Sequence, residues 1–303
     1  MSFLPKVESV SFRYNSAVLD SDNYSHVSRV MQRVGSTSIE INDELFVPPS
    51  IDFLPHFFPT LQELRFVTSR QYDLAPLLSL PSLSNLSFSY GPTQEFDFTS
   101  LRLKGISFNH KSGKTDSVYG CKALECMAIF GYPYADLVAL EGLRRLSTLR
   151  LSRASKLGTL DGIQRLSNIR RIWIQSATRL SSLAALSRLK LRYLHFEGCR
   201  SISDYSILGT LPLDGLTIRE CGPVRDLDFL RSLSKLRALI IAATKIESAN
   251  LEPIAYLEKL GNLERLVVSY RKEYNYQKGD FSTPSSLGLV PVPDFSCSLA
   301  RMI

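Results

Sequence analysis

The sequence is short of the features that mark most functional classes. Tryptophan is the scarcest residue, with Trp173 alone among 303. No apolar stretch approaches the ~20 residues of a membrane-spanning helix. The opening "MSFLPKVESVSFRYN" lacks the basic start, apolar run and small-residue cleavage site of a secretory signal. The expectation is a cytoplasmic protein without membrane contact. Five cysteines, an odd number with no CxxC pair, fit free thiols better than a disulfide framework or a zinc site. There is no GxSxG elbow, HExxH pair, GxxxxGK phosphate loop or GxGxxG fingerprint. The four histidines, His26, His56, His110 and His195, are scattered. "DSDNYS" at 20–25 opens like a calcium loop but has Ser25 where the sharp turn needs glycine, and reads as a polar turn. The sequence therefore predicts no enzyme, no catalytic residue, no metal or cofactor, and no small-molecule substrate.

What is present is a period. Segments of the form Leu-x-x-Leu-x-Leu end on Phe66, Phe88, Phe108, Ile129, Leu151, Ile174, Phe196, Ile218 and Ile241, at gaps of 22, 20, 21, 22, 23, 22, 22 and 23. Looser versions at Phe12, Ile41 and Val268 raise the expected number of strands to twelve, with irregular ends that close an otherwise open core. No unit buries its leucines alone, but stacked neighbours form one continuous core. The shortness of the unit predicts 3₁₀ turns and irregular backbone on the return side. Asp204 and Asp226 are expected to cap those turns. Val27, Val30, Met31 and Val34 share one face of a predicted helix over 25–34, read as an N-terminal cap. The period divides the chain into a cap with irregular first repeats (1–60), a solenoid (61–270), and a C-terminal cap and tail (271–303) containing Pro284, Pro291 and Pro293.

"LSTLRLSRASKLGTLDGIQRL" and "LRYLHFEGCRSISDYSILGTL" resemble the leucine-rich repeat family, in its short, roughly 22-residue, internalin-like bacterial type. The family pattern is met by Leu146, Leu149, Leu151 and Ala154, by Ile169, Ile172, Ile174 and Ala177, and by Leu191, Leu194, Phe196 and Cys199; the repeats ending on Cys221 and Thr244 follow it too. The resemblance implies an α/β-type solenoid: a curved horseshoe whose concave side is a parallel sheet of 10 to 12 strands. Where the family often has asparagine, this chain has Ala, Cys or Thr. Small residues thus fill the bend, and Cys199 and Cys221 are expected to be fillers. Cys121 and Cys126 in "CKALEC" lie near a strand, and Cys126 falls at a solvent-facing register position.

Residues at −3, −1 and +1 from each strand anchor face away from the core. In the central repeats these include Arg150, Arg171, Trp173, Tyr193, His195, Glu197 and Arg219, with Arg153 just past its strand. Aromatic residues and arginine concentrate binding energy, because the first bury much area with few rotors and the second offers a planar fork of donors. The alternative is a set of ordinary solvated strand residues stabilised by cross-strand neighbours, with Trp173 lying across Tyr193 and the Arg150 stem. Arginines outnumber acids here, and Lys+Arg 36 against Asp+Glu 29 gives the chain a formal charge of +7. The expected partner is a protein with an acidic surface.

Three functions compete. The first is a protein-binding module, specifically an intracellular immunity protein or inhibitor holding a toxin or enzyme on its concave face. The second is a secreted bacterial effector that binds a host protein. The third is a nucleic-acid binder with Trp173 as a stacking platform, disfavoured by the moderate charge and the intervening Glu197 and Glu220.

Overall fold

The computed structural model describes residues 10–13 and 15–283. The chain divides into two compact units, with the break between Ile129 and Phe130. Apolar residues at period-2 spacing form short strands, and in each unit sequence neighbours are sheet neighbours. The first unit contains β1 (Ser11–Arg13), β2 (Ser16–Val18), β3 (Ser38–Asn42), β4 (Glu63–Val67), β5 (Asn85–Phe88) and β6 (Gly105–Asn109). β7 (Cys126–Phe130) lies at the break. The second contains β8 (Thr148–Ser152), β9 (Arg171–Gln175), β10 (Tyr193–Glu197), β11 (Gly215–Arg219), β12 (Ala238–Ala242) and β13 (Arg265–Val268).

The register matches the one read from the sequence. Leu151 pairs with Ile174, Ile174 with Phe196, Phe196 with Ile218, Ile218 with Ile241 and Ile241 with Val268, all in parallel strands. Every one of these anchors is buried. In the first unit Ile41, Phe66 and Phe88 align in the same way, and the rings of Phe66 and Phe88 stack with centroids 5.1 Å apart.

The N-terminal end departs from expectation. Phe12 belongs to an antiparallel hairpin, where it pairs with Ala17. The parallel series begins one strand later, with Ala17 against Ile39. "SAV" has no leucine to signal a repeat, so β2 was not legible, and thirteen strands are found among the described residues rather than ten to twelve. The predicted helix is present as α1 (Tyr24–Val34), with Val27, Val30 and Met31 buried, Asn23 accepting from the His26 amide and Gly35 ending it in the left-handed region. Two strands precede it, so it links β2 to β3 rather than starting the chain.

Return segments in the short repeats are 3₁₀ turns, such as Ile163–Arg165, Ala184–Leu186, Ser206–Thr210 and Asp228–Ser232. The 27-residue interval between Ile241 and Val268 has room for more, and there α2 (Glu252–Lys259) forms. Asp204 and Asp226 accept hydrogen bonds from the Ser206 and Asp228 amides at 2.8 and 3.2 Å, as expected for turn caps. Residues 271–283 return to the last repeat. Tyr274 Oη accepts from the Ile246 amide at 2.9 Å, and Glu258 Oε1 accepts from the Thr283 amide at 2.7 Å. The prolines at 284, 291 and 293, and Cys297, lie outside the described residues.

Immediately after each strand from β7 to β12 the chain turns through a left-handed residue: Gly131, Arg153, Ser176, Gly198, Glu220 and Ala243 all have positive φ. The amides of Gly131, Ser176, Gly198 and Glu220 each donate to the last strand carbonyl of the following repeat, at 2.7 to 3.0 Å. Non-glycine residues are strained there, so Ser176→Gly and Ala243→Gly are expected to raise stability by about 0.5–1 kcal/mol. Gly162 behaves oppositely. Its φ is 99°, and a Cβ would sit 2.6 Å from the Leu137 carbonyl carbon. Gly162→Ala should cost about 2 kcal/mol or more. Urea midpoints of the three variants check both signs.

Candidate functional site

The outward face of β8 to β11 brings the predicted residues together in three rows. In the first row Arg150, Trp173 and His195 occupy equivalent positions on β8, β9 and β10. The Arg150 guanidinium lies 4.2 Å from the centroid of the Trp173 ring, and the His195 ring stacks on that indole with centroids 4.0 Å apart. In the second row the Arg171 guanidinium sits 5.4 Å from the Tyr193 centroid. The Tyr193 ring covers Gly215, where a Cβ would come within 2.9 Å of Cδ1. Trp173 thus packs between Arg150 and His195, not across Tyr193, because equivalent positions on parallel strands stack directly while Tyr193 is two residues away along its strand. Its Nε1–H is buried with no hydrogen-bond partner.

The third row carries the acids. His195 Nε2 and Glu197 Oε2 are 3.2 Å apart, and Arg219 Nε lies 4.0 Å from Glu197 Oε1 and 3.3 Å from Glu220 Oε1. Arg219 is exposed, whereas Arg150, Arg171, Trp173, Tyr193, His195 and Glu197 are half-buried. Five of these six belong to packed columns, in which each side chain is held by its cross-strand neighbours.

Electrostatics follow from that packing. Burial lowers the Arg150 pKa to about 10, against an opposing pull from Glu197. Burial also lowers His195 to about 4, with the Glu197 hydrogen bond opposing and Arg150 and Arg219 assisting. His195 is therefore neutral at pH 7, and its Nε2–H donates to Glu197. Between pH 6.5 and 4 an unfolded chain protonates this histidine while the folded chain does not, so stability falls as pH falls through that window. The loss should be smaller in His195→Gln, and urea melts at pH 7, 5.5 and 4.5 check it.

Arg153 stands at a left-handed corner and is exposed. Its guanidinium lies 4.7 Å from the Phe130 centroid. The sequence reading missed Phe130, although it is the only aromatic at the +1 position of any anchor from Phe66 to Val268. Arg192 with Asp214, and Arg237 with Glu264 at 2.6 Å, were also missed; both pairs lie beside the strand starts, outside the alternating positions.

The thiols behave as fillers. Cys199 is fully buried and Cys221 half-buried, each Sγ lying over strand-end carbonyls, as at 3.6 Å from Glu197 O and 3.3 Å from Arg219 O. The Cys221 sulfur and burial together push the Cys199 thiol up. Cys126 corrects the expectation of a solvent-facing residue, because it is buried. Its short side chain does not rise clear of its neighbours, as is also true of Ser38 and Gly105 at the same position of β3 and β6. Burial pushes Cys121 up to about 11, which disfavours the thiolate a nucleophile needs.

No known sequence family and no curated protein matches the chain. Among solved structures it is similar to an internalin, inlF, from Listeria monocytogenes, at 15% identity and a TM-score of 0.44, covering 76% of this chain and 72% of that one. Internalin C2 of the same organism gives 19% identity and a TM-score of 0.42, covering 62% and 72%. The functional domain of InlJ, described as including a cysteine ladder, gives 16% and 0.45, covering 75% and 46%. The chain's own geometry carries the assignment: the 22-residue spacing, the in-register parallel strands, the left-handed corner after each strand from β7 to β12 and the 3₁₀ returns make this a leucine-rich repeat fold.

Proposed function

We propose that the protein is a non-enzymatic protein-binding module and that the outward face of β8 to β11 is its binding surface. The observation that supports this most is the Arg150–Trp173–His195 column, which fixes a large aromatic and a desolvated guanidinium on the display side of the sheet. Side chains already immobilised lose little entropy on binding, and Trp, Tyr and Arg are the types that dominate interface energetics. An acidic protein surface complements the arginines. The finer reading is an intracellular immunity protein or inhibitor that neutralises a toxin or enzyme in the cytoplasm.

A nucleic-acid reading is disfavoured by the same column. Stacking of a base needs an open aromatic face, and Arg150 and His195 occupy both faces of the Trp173 indole. The effector reading has no specific observation in its favour.

The test is affinity capture from the native organism with wild type and with a Trp173→Ala, Arg171→Ala double variant of matched thermal stability. A specific protein retained by wild type should be lost by the variant, since truncating an anchor costs ~2 kcal/mol or more of binding. Retention of the same proteins by both would move the interface off this face. Co-expression that fails to relieve the toxicity of a captured toxin would sink the immunity reading.

A further inference from the structure

The arginines of the second unit are not equivalent. Arg192, Arg219, Arg231 and Arg237 each have a carboxylate within 4.0 Å. Arg150 has none among the described residues: its Nε donates to Ser152 Oγ at 3.4 Å, and its plane lies on Trp173. The guanidinium has shed much of its water and keeps several unspent N–H donors. Neighbouring Arg153, bound only to the Phe130 ring, is likewise without a carboxylate. A desolvated cation with no carboxylate in contact is costly to maintain, and an incoming anion relieves that cost.

At the other end of the same sheet the chemistry reverses. The outward positions of β11 and β12 hold Gly215, Thr217, Ala238, Ile240 and Ala242, and Val267 follows on β13, flanked by Arg219 opposite Ala242 and by Arg265 opposite Ala238. No charge stands in this stretch between Arg219 and Arg265. Ile240, Ala242 and Val267 are half-buried, which leaves an apolar floor beside the tyrosine and arginine rows.

We infer that this face binds an acidic–apolar polypeptide segment of a partner in one polarity, its carboxylate on Arg150 and its apolar side chain on the Ile240 and Val267 floor. The inference rests on the protein-binding reading above. Four strand spacings separate β8 from β12, so the two subsites lie about 19 Å apart, the reach of roughly six extended residues. Glu197, close enough to act on Arg150, sets the size of the charge. A monoanionic carboxylate meets less repulsion from it than a dianionic phosphate does, and the planar guanidinium fork fits the carboxylate in bidentate fashion.

The test pans a random dodecapeptide phage library on the intact protein, on Arg150→Leu and on Ile240→Gln, each first shown by circular dichroism to melt as a folded chain. Wild type should select Asp or Glu near one end and Leu, Ile, Val or Phe about six residues away. A synthetic consensus peptide should bind Arg150→Leu about ten-fold or more weakly, with partial recovery in Arg150→Lys. Ile240→Gln should keep the acidic position and lose the apolar one. A consensus without an acid, or unchanged affinity on Arg150→Leu, overturns the inference. Competition by a single-stranded oligonucleotide at physiological salt that depends on Arg150 also overturns it, by giving the site to nucleic acid. If such peptides still lose affinity on Trp173→Ala, the binding face stands and only the polarity falls. Failure of wild type to enrich any peptide, or enriched peptides indifferent to Trp173→Ala, Arg150→Leu and Ile240→Gln alike, removes the binding face as well.

Discussion

Phe196→Ala is expected to destabilise the second unit by about 3–5 kcal/mol, while His195→Ala, one residue away, costs about 1 kcal/mol or less. Phe196 is wholly buried, in register with Ile174 on one side and Ile218 on the other. Removing its ring leaves a cavity that two rigid neighbouring strands cannot close, which places the cost near the upper end for large-to-small changes. His195 points the other way, where its loss removes a stacking partner of Trp173 and a hydrogen bond to Glu197. The contrast between consecutive residues measures the register itself, because a slip by one residue exchanges the two faces. Chemical denaturation of both variants supplies the test. Equal effects would mean that the strand is not held in this register.

Glu40→Gln should be nearly as damaging, at about 3 kcal/mol, although it removes only a charge. Glu40 is completely buried on β3. Its carboxylate lies 3.4 Å from both Arg13 and Arg65, and Asn42 Nδ2 donates to it at 2.9 Å. Arg65, directly opposite on β4, is also buried. Without the carboxylate its charge loses the compensation that made burial tolerable. The two sites should therefore be coupled: Arg65→Met added to Glu40→Gln is expected to cost at least ~1 kcal/mol less than the sum of the single changes. Additive losses in a double-mutant cycle would show that the pair does not act as one.

Much of this was legible in the sequence, for a physical reason. A repeat must present the same apolar positions in every unit, so the spacing of Phe66 through Ile241 gave the strands, their pairing and the two faces together. Asp204 and Asp226 were readable because a carboxylate before a tight turn has few other uses. The failures occur where the repeat's constraint lapses. β2 was missed because three small residues carry no leucine pattern. The burial of Cys126 depends on the size of its side chain against its neighbours, which a face assignment does not encode. At the candidate site the membership of the rows followed from alternation, but the stacking order did not. That Trp173 meets His195 rather than Tyr193, and that Phe130 sits beneath Arg153, depends on side-chain reach across strands.

Those contacts turn a compositional bias into a geometric claim, namely that a partner is held on the face carrying Arg150, Trp173 and His195. The most direct measurement places a photo-crosslinking amino acid either at Gln175, on that face of β9, or at Ser181, in the exposed return segment that follows it, and identifies what each captures in cells of the native organism. The account predicts one protein adduct from Gln175 that disappears when Trp173 and Arg171 are both replaced by alanine. An adduct from Ser181 with none from Gln175 would contradict it.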